Sequence, residues 1–431
     1  MEVFEILVLL ISFLSLLILG VPIAFSIGIA GTLTLLISIL PMPAFTTLAQ
    51  RMAVALNSFA LLAIPFFVLA GQLMNQGGIA IRLIEFAKVL VGRLPGGLAM
   101  VNITANMLFG AISGSAAAAS SAIGSFMGPK MTEEGYDKGY SAAVNITSAT
   151  TGLVIPPSNI MIVYSLASGG VSIAALFLAG YIPGLLMGLG LMITAAAIAY
   201  RRNYPVGESV GFKEGVMKFL NAVPSIFLLV VVIGGIIAGY FTATEASAIA
   251  VVYTLILAVI YKQIKFKHFP GILLRTIGIT SIVMLLIGTS MGLSWVMSYA
   301  NLPQAVGEGL LAISNDKIVL LILINIVLLI VGIFMDMTPA VLIFTPIFLP
   351  VVVELGVDPI HFGIIMIMNL CVGLCTPPVG SVLFIGCSVA NIGIERVIKP
   401  LIPLFVAMVV VLLIITYFPE ISLWLPRVLG Y

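Results

Sequence analysis

The sequence predicts an all-α polytopic membrane protein, built as an inverted repeat with two re-entrant helical hairpins and two broken helices. Three observations predict this fold class: the composition, the length of the apolar stretches, and a Gly-Leu-x-x-Pro-Pro element that occurs twice. Hydrophobic residues make up 61% of the 431-residue chain and charged residues only 8%, whereas soluble domains carry about 25% charged residues. We therefore expect most of the chain to lie in hydrocarbon.

The apolar stretches predict helices and not barrel strands. In hydrocarbon, every backbone amide must be satisfied within its own segment or within a closed barrel. The stretches at 6–19, 225–238, 248–261 and 401–418 are long and continuous, without the alternation of a barrel strand. The N-terminus is acidic and lacks the basic region and cleavage site of a signal peptide, so we expect the first helix to be retained.

The positions of lysine and arginine predict the topology, because these residues accumulate on the cytoplasmic side. Five clusters contain most of them: Arg82/Lys88/Arg93, Lys130/Lys138, Arg201/Arg202/Lys213/Lys218, Lys262/Lys265/Lys267/Arg275 and Arg396/Lys399. All five lie inside, with the N-terminus outside, if 97–131 and 317–354 are hairpins that enter and leave on one side. Crossings are then predicted near 4–19, 22–40, 58–75, 139–167 and 174–199, and near 221–239, 244–261, 274–298, 361–388 and 401–418.

An internal duplication supports this threading. The element Gly152–Pro157 matches Gly373–Pro378 at an offset of 221 residues, the difference between Gly373 and Gly152. Nearly the same offset relates Gly71 to Gly292, Gly110 to Gly332, and Pro183 to Pro403. We predict a first repeat at 1–205, a cytoplasmic connector at 206–220 and a second repeat at 221–431. An odd number of crossings in each half inverts the second copy, a signature of secondary transporters.

In each repeat, two helix-breaking features are expected to meet near the centre of the bilayer. One is the hairpin tip, Ser113–Ala117 in the first repeat and Asp336–Pro339 in the second. The other is the Gly-Leu-x-x-Pro-Pro element inside the broken helices 139–167 and 361–388. Glycine and proline release carbonyl groups from the helix ladder. Carbonyl and hydroxyl oxygens suit a hard cation such as Na⁺, while the inward N-termini of half-helices favour an anion.

Several polar residues near these features are candidates for the site. Asp336 is the acidic residue that we place deepest in the membrane, and because a carboxylate there is costly it is expected to have a functional role. It could bind Na⁺, contact substrate hydroxyls, carry a proton or cap a helix. Ser113 and Ser115 occupy the other tip, where packing is the alternative role. Ser158 follows the first Pro-Pro pair, and we include it among the candidates for substrate binding. Thr376 lies within the second element.

Other residues are expected to be structural. Glu245 lies at a predicted helix start, where the helix dipole explains it, and His361 is expected at the outer membrane interface. Cys371, Cys375 and Cys387 have no accompanying histidine or second pair, so an inert core role is expected.

The sequence excludes other classes of function. It contains no Gly-Lys-Ser/Thr of a phosphate-binding loop. The two histidines are not expected to reach the serines of the first tip, so no protease constellation forms. The net charge of +2 comes without a basic block, so no nucleic-acid partner is expected. We predict a transporter and not an enzyme; a channel or scaffold is the alternative, although a pore needs no closed hairpins in mirrored repeats.

The motifs of this sequence resemble those of a known protein family. The resemblance is carried by Gly110–Ser115, by Ile64–Gly71 and by the two Gly-Leu-x-x-Pro-Pro elements, and it covers essentially the whole chain. Together they resemble the large membrane subunit of the tripartite ATP-independent periplasmic (TRAP) transporters. The resemblance implies an elevator-type transporter of the bacterial inner membrane that imports organic acid anions with Na⁺, typically C4-dicarboxylates or sialic acid.

The resemblance also implies partners and site residues. The partners are a periplasmic substrate-binding protein and a small four-helix membrane subunit, here expected as a separate polypeptide. Matching motifs assign one sodium site to Ser113, Gly152, Ile155 and Pro156, and another to Gly332, Thr338, Gly373, Thr376 and Pro377. Ser115 and Asp336 would face the substrate. The alternative within this class is a stand-alone ion-coupled anion transporter of similar design that needs no binding protein.

Overall fold

The computed structural model describes residues 2–207, 211–314 and 316–431, and these residues form α-helices and no strand. The helices of the first half are α1 Glu2–Ile18, α2 Ile23–Ser38, α3 Pro41–Leu56, α4 Ala63–Gln76, α5 Ile79–Val91, α6 Gly97–Ser113, α7 Ala116–Glu133, α8 Lys138–Thr151, α9 Asn159–Ala167 and α10 Ile173–Arg201. Those of the second half are α11 Phe212–Ile237, α12 Ala243–Ile260, α13 Phe269–Tyr299, α14 Leu302–Ile313, α15 Lys317–Phe334, α16 Met337–Glu354, α17 Pro359–Gly373, α18 Ser381–Ala390, α19 Ile394–Tyr417 and α20 Glu420–Val428.

Many of these helices are suited to a lipid environment. Within the described part of the chain, eight helices are long and apolar enough to cross a bilayer, and α1, α2, α6, α17 and α18 are shorter apolar helices. Large apolar side chains such as Ile193, Val230 and Leu274 are exposed on their outer faces. Exposed apolar surface of this extent needs a cover other than water. The predicted all-α polytopic membrane architecture is confirmed.

Both predicted hairpins and both predicted broken helices are present. The helices α6 and α7 meet at Gly114, and α15 and α16 meet at Met335 and Asp336. Gly114 has φ +60°, a left-handed conformation that glycine adopts without a steric penalty. The broken helices are α8 with α9 and α17 with α18. In both halves the order is a short helix, the hairpin, the broken helix and a long helix, namely α5 to α10 and α14 to α19.

Helix ends follow local sequence. Thr242 caps α12, and the Glu245 carboxylate accepts a hydrogen bond of 2.8 Å from the Thr242 amide. This reciprocal capping box satisfies two amides at the helix start. It explains Glu245 without a ligand, as predicted.

The structure differs from the prediction in its connecting segments. The helices α3, α14 and α20 lie where only connections were predicted, and α11 begins at Phe212, inside the predicted connector 206–220. Residues 208–210 of that connector lie outside the described residues. The start of α11 is amphipathic, and Lys218 forms ion pairs of 2.7 Å with Glu85 and 2.9 Å with Glu214. The Lys218–Glu85 pair joins α11 to α5, and the Lys218–Glu214 pair lies within α11.

Candidate substrate and ion site

In the first repeat, the hairpin and the broken helix touch through their main chains. A β-carbon added to Gly152 would lie 2.4 Å from the Gly110 Cα, and one added to Gly110 would lie 2.7 Å from the Gly152 Cα. Real β-carbons do not approach so closely, so only glycine fits on both sides. The loop that follows α8 is therefore held directly against the last turn of α6, next to the hairpin tip.

The second repeat has the same contact. A β-carbon added to Gly373 would lie 2.5 Å from the Gly332 Cα, and one added to Gly332 would lie 3.0 Å from the Gly373 Cα. Because Gly110 aligns with Gly332 and Gly152 with Gly373, the duplication seen in the sequence is also a duplication of this contact. Each hairpin presents its tip beside the broken helix of its own repeat.

The two helix breaks contain main-chain oxygens outside regular helices. Residues 152–158 and 374–380 are non-helical, and each segment contains a Pro-Pro pair with a cis bond, Pro156–Pro157 and Pro377–Pro378. Proline has no amide hydrogen, so it cannot continue the helix ladder. The hydroxyl of Ser158 is fully buried and has no hydrogen-bond partner among the described residues. A buried orphan of this kind indicates an unseen water or ion nearby.

The hairpin tips and the helix breaks meet at one cavity of about 210 Å³. Four candidate residues line it: Ser113 and Ser115 from the first tip, and Asp336 and Thr338 from the second. The remaining walls come from α4, α9, α13 and α18. The structure thus brings together side chains that are more than two hundred positions apart in the chain.

The other candidates lie around this cavity and not on its wall. These are Ser158, Gly152, Ile155, Pro156, Gly332, Gly373, Thr376 and Pro377, none of which lines the cavity. The Ser158 side chain is fully buried, and the Thr376 hydroxyl donates a 2.8 Å hydrogen bond to the Val372 carbonyl. Neither hydroxyl faces the cavity in this conformation.

Gln72 and Ser381 are polar lining residues that were not predicted. Gln72 of α4 directly follows the Ile64–Gly71 motif, and Ser381 starts α18. A signal for Ser381 existed in the sequence, because the repeat offset places it opposite Ile160, at the start of the half-helix after the Pro-Pro pair. Asn159, which the sequence places directly after Ser158, also lines the cavity.

Asp336 is the N-cap residue of α16, yet its side chain makes no capping hydrogen bond. The carboxylate belongs to an exposed residue at the cavity wall. The side chain therefore makes no N-cap hydrogen bond in this conformation, and the backbone group that stabilises the carboxylate is the adjacent Met337 amide.

A buried amide network supports the first tip. The Asn106 Nδ2 lies 2.6 Å from the Asn102 Oδ1, 3.1 Å from the Asn145 Oδ1 and 2.9 Å from the Ser148 Oγ. The Asn145 side chain in turn donates to the Ser120 carbonyl at 2.8 Å. These bonds connect α6, α7 and α8 one turn away from the Gly110–Gly152 contact.

A second network joins α15, α17 and α19. The Asn369 Nδ2 donates to the Asn325 Oδ1 at 2.7 Å, and the Asn325 Nδ2 donates to the Thr416 Oγ1 at 3.1 Å. The His361 Nε2 lies 3.3 Å from the Thr416 carbonyl. His361 lies in the first turn of α17 and is only 2% exposed, because it packs against α19 beside this network.

The cysteines have structural contacts. The Cys371 Sγ lies 3.3 Å from the Thr150 carbonyl, and the Cys375 Sγ lies 3.5 Å from the Ile146 carbonyl. In the described part of the chain, no group of three or more His, Cys, Asp or Glu residues could hold a metal ion. The contacts are those of core residues.

Ser115 allows substrate contact and helix capping to be separated. Its Oγ accepts a 3.2 Å hydrogen bond from the Ala118 amide. We expect Ser115→Ala to lower the free energy of unfolding by about 1 kcal/mol, whereas Ser115→Gly should lower it by only a few tenths of a kcal/mol. Both should reduce transport at least roughly tenfold, a factor equivalent to about 1.4 kcal/mol, because both remove the cavity hydroxyl. Thermal unfolding and uptake assays measure the two effects. Normal uptake by Ser115→Gly would reduce Ser115 to a capping role.

Comparison with known proteins agrees with this architecture. A family profile described as "Tripartite ATP-independent periplasmic transporter, DctM component" matches residues 10–421. The chain is 54% identical over 424 residues to the uncharacterized protein YgiK of Salmonella typhimurium, with 98% of each chain covered. It is 38% identical over 406 residues to the C4-dicarboxylate TRAP transporter large permease protein DctM of Pseudomonas aeruginosa, with 94% of each covered.

Two further comparisons concern a more distant relative and the fold. The chain is 36% identical over 420 residues to the sialic acid TRAP transporter large permease protein SiaM of Vibrio cholerae, covering 97% of this chain and 98% of that one. Among solved structures, the YdaH transporter of Alcanivorax borkumensis superposes with a TM-score of 0.67 at 14% identity, covering 90% of this chain and 89% of the other. At that identity the likeness concerns the fold alone.

The relatives DctM and SiaM are named as large permease proteins, and the family match extends over both hairpins and both broken helices. Together with the helices that can span a bilayer, it indicates a multi-pass protein of the bacterial inner membrane. The chain therefore belongs to the DctM family, the large permease component of the tripartite ATP-independent periplasmic transporters.

Proposed function

We propose that this permease imports an organic acid anion together with Na⁺ by an elevator mechanism. The anion is of the C4-dicarboxylate or sialic-acid type named for its relatives. A periplasmic binding protein delivers it, and a small four-helix membrane subunit completes the membrane complex. The observation that carries the proposal is the single cavity between the two hairpin tips, where hydroxyls, a carboxylate and helix breaks converge.

The donor set supports Na⁺ as the coupling ion. Hydroxyls at the tips and carbonyls in the breaks are hard oxygen ligands, which suit Na⁺ better than a transition metal. In our assignment Ser113, Gly152, Ile155 and Pro156 hold one ion. A second set holds the other: Gly332, Thr338, Gly373, Thr376 and Pro377. The unpartnered hydroxyl of Ser158 lies two residues after Pro156 and is consistent with a cation or water there.

The energetics are sufficient for accumulation. A tenfold Na⁺ gradient contributes about 1.4 kcal/mol and a membrane potential of 100 mV about 2.3 kcal/mol per charge. Each ion that moves inward therefore offers roughly 3.7 kcal/mol, which corresponds to a concentration ratio of about 500-fold.

The elevator proposal rests on how the tips meet the rest of the protein. In each repeat, hairpin and broken helix are joined through glycine main chain, so they can move as one body. The first tip touches α4 at Gly71, where an added β-carbon would lie 3.0 Å from the Ser113 carbonyl oxygen. We propose that this main-chain contact belongs to the surface along which the hairpins and the broken helices slide past α4.

The test is uptake by the permease and its small subunit in proteoliposomes, with the binding protein outside. We expect accumulation that requires an inward Na⁺ gradient and the loaded binding protein. Uptake of the same anion without Na⁺ would contradict the coupling, and uptake without the binding protein would favour a stand-alone transporter.

The two sodium sites give a sharper prediction. We expect Ser113→Ala and Thr338→Ala each to raise the half-saturating Na⁺ concentration at least tenfold, about 1.4 kcal/mol for one lost ligand. Thr104→Ala is the matched control, because its hydroxyl donates to the Met100 carbonyl of its own helix at 3.0 Å. Uptake measured against Na⁺ concentration reads the shift. An unchanged Na⁺ dependence in both tip variants would contradict the assignment.

A further inference from the structure

A second cavity lies between α5 and α11, away from the hairpin tips. It has a volume of about 420 Å³, and its walls come from the second half of α5, the start of α11 and the residues that flank them. Lys88 and Arg93 are the charged residues among the described lining residues, and the rest of the wall is apolar or glycine. The distribution of lysine and arginine predicts that this end of the two helices faces the cytoplasm. The cavity is therefore expected at the level of the headgroups of the cytoplasmic leaflet.

Positive charge is in excess around this cavity. The segments 85–93 and 211–219 contain four basic residues and two acidic ones, a net charge of +2. The two acids, Glu85 and Glu214, both bind Lys218, at 2.7 and 2.9 Å. Lys88 takes part in none of the ion pairs among the described residues. A ligand in the cavity would thus meet uncompensated positive charge, which favours an anion.

The same cavity has an apolar wall that reaches the surface of the protein. Leu90, Val216 and Phe219 line it and are 57%, 42% and 46% exposed. The Phe219 ring lies against the buried Phe86 ring, with their centroids 5.8 Å apart. A soluble phosphate compound would gain nothing from this wall, and contact with acyl chains alone would not need the two cations. An amphiphile with an anionic headgroup uses both.

We propose that this cavity binds an anionic phospholipid of the cytoplasmic leaflet. Lys88 and Arg93 hold the phosphate group, since both side chains donate hydrogen bonds to phosphate oxygens. One acyl chain lies along Leu90, Val216 and Phe219. The bound lipid spans α5 and α11 and adds to the Lys218–Glu85 ion pair that joins these helices. The proposal depends on neither the substrate nor the coupling ion of the proposed function.

Three probes separate the sources of a phosphate group. The permease with its small subunit, in detergent, is titrated with dioctanoyl phosphatidylglycerol, with dioctanoyl phosphatidylcholine and with glycerol 3-phosphate, and native mass spectrometry counts the bound molecules. We expect phosphatidylglycerol to bind at least tenfold more tightly than phosphatidylcholine, and glycerol 3-phosphate not to displace it at equal concentration. Equal binding of the two lipids would indicate a general lipid surface, and displacement by glycerol 3-phosphate would indicate a soluble phosphate ligand. Either result overturns the proposal.

Substitutions test the cavity itself. We expect Lys88→Gln and Arg93→Gln each to weaken phosphatidylglycerol binding about fivefold, because one basic residue near a membrane surface contributes about 1 kcal/mol. Lys265→Gln is the matched control, since Lys265 is an exposed lysine on the same predicted side and lies outside the cavity. Equal affinities in all three variants would place the lipid elsewhere. Binding by the isolated permease that the small subunit abolishes would assign the cavity to the subunit interface and would also overturn the proposal.

Discussion

Replacing Gly152 with alanine is expected to abolish most transport and to lower the free energy of unfolding by about 3 kcal/mol, the upper end of the cost of overpacking. The new β-carbon would lie 2.4 Å from the Gly110 Cα, and neither partner has a side chain that could rotate away. The two main chains would have to separate. That separation moves the first tip away from the second, so uptake should fall together with the thermal unfolding temperature.

The four glycines of the two contacts should rank by distance. Gly152→Ala and Gly373→Ala, at 2.4 and 2.5 Å, should be the most severe, followed by Gly110→Ala at 2.7 Å and Gly332→Ala at 3.0 Å. Gly278→Ala in α13 is the control, because no atom lies within 4 Å of its added β-carbon; there alanine should be neutral or slightly stabilising. Equal stability of Gly152→Ala and Gly278→Ala would mean that the contact is not close-packed.

Removing the Asn106 side chain is expected to have the second largest effect. Its amide nitrogen lies within hydrogen-bonding distance of Asn102, Asn145 and Ser148, and each buried acceptor left alone costs about 1–3 kcal/mol. Interhelical hydrogen bonds within membranes are weaker on average, so we expect a loss of about 2 kcal/mol for Asn106→Ala. Unfolding of the purified permease by heat or denaturing detergent measures it.

Two further variants separate this network from general effects. Asn106→Asp keeps the shape but loses both donors and adds a charge, so it should be worse than alanine. Asn57→Ala changes an exposed asparagine and should stay within about 0.5 kcal/mol of the parent. If Asn106→Asp proved as stable as the parent, the amide nitrogen would not be the donor that holds α6 to α8.

The sequence was sufficient for the elements that break helices. Glycine and proline act through the backbone, so the hairpins and the breaks at 152–158 and 374–380 could be located without knowledge of the fold. The helices α3, α14 and α20 could not, because their apolar residues cover only one face and they begin near prolines such as Pro41 and Pro303. Amphipathic segments of this length become helices through packing, which a single sequence does not display.

The site could be predicted only in part for a related reason. The tips were identified from small and acidic residues. Gln72 is one of three polar residues near the end of the otherwise apolar helix α4, and only the packing of α4 against the tip brings it to the cavity. Ser158 illustrates the opposite case. It is next to the break in sequence, but its side chain is buried away from the cavity. Proximity along the chain predicts which residues lie near a helix break, but it does not predict the direction in which each side chain points.

The glycine contacts have a consequence for how such permeases diversify. A contact made by main chain alone does not depend on the side chains of the hairpin tip beside it. The two tips already differ, because one carries the hydroxyls of Ser113 and Ser115 and the other carries the carboxylate of Asp336. The duplicated halves therefore carry different chemical groups at their turns, while each keeps its own copy of the same glycine contact. Substitutions at a turn can therefore change which substrate binds, while the glycine contact that supports the turn stays intact.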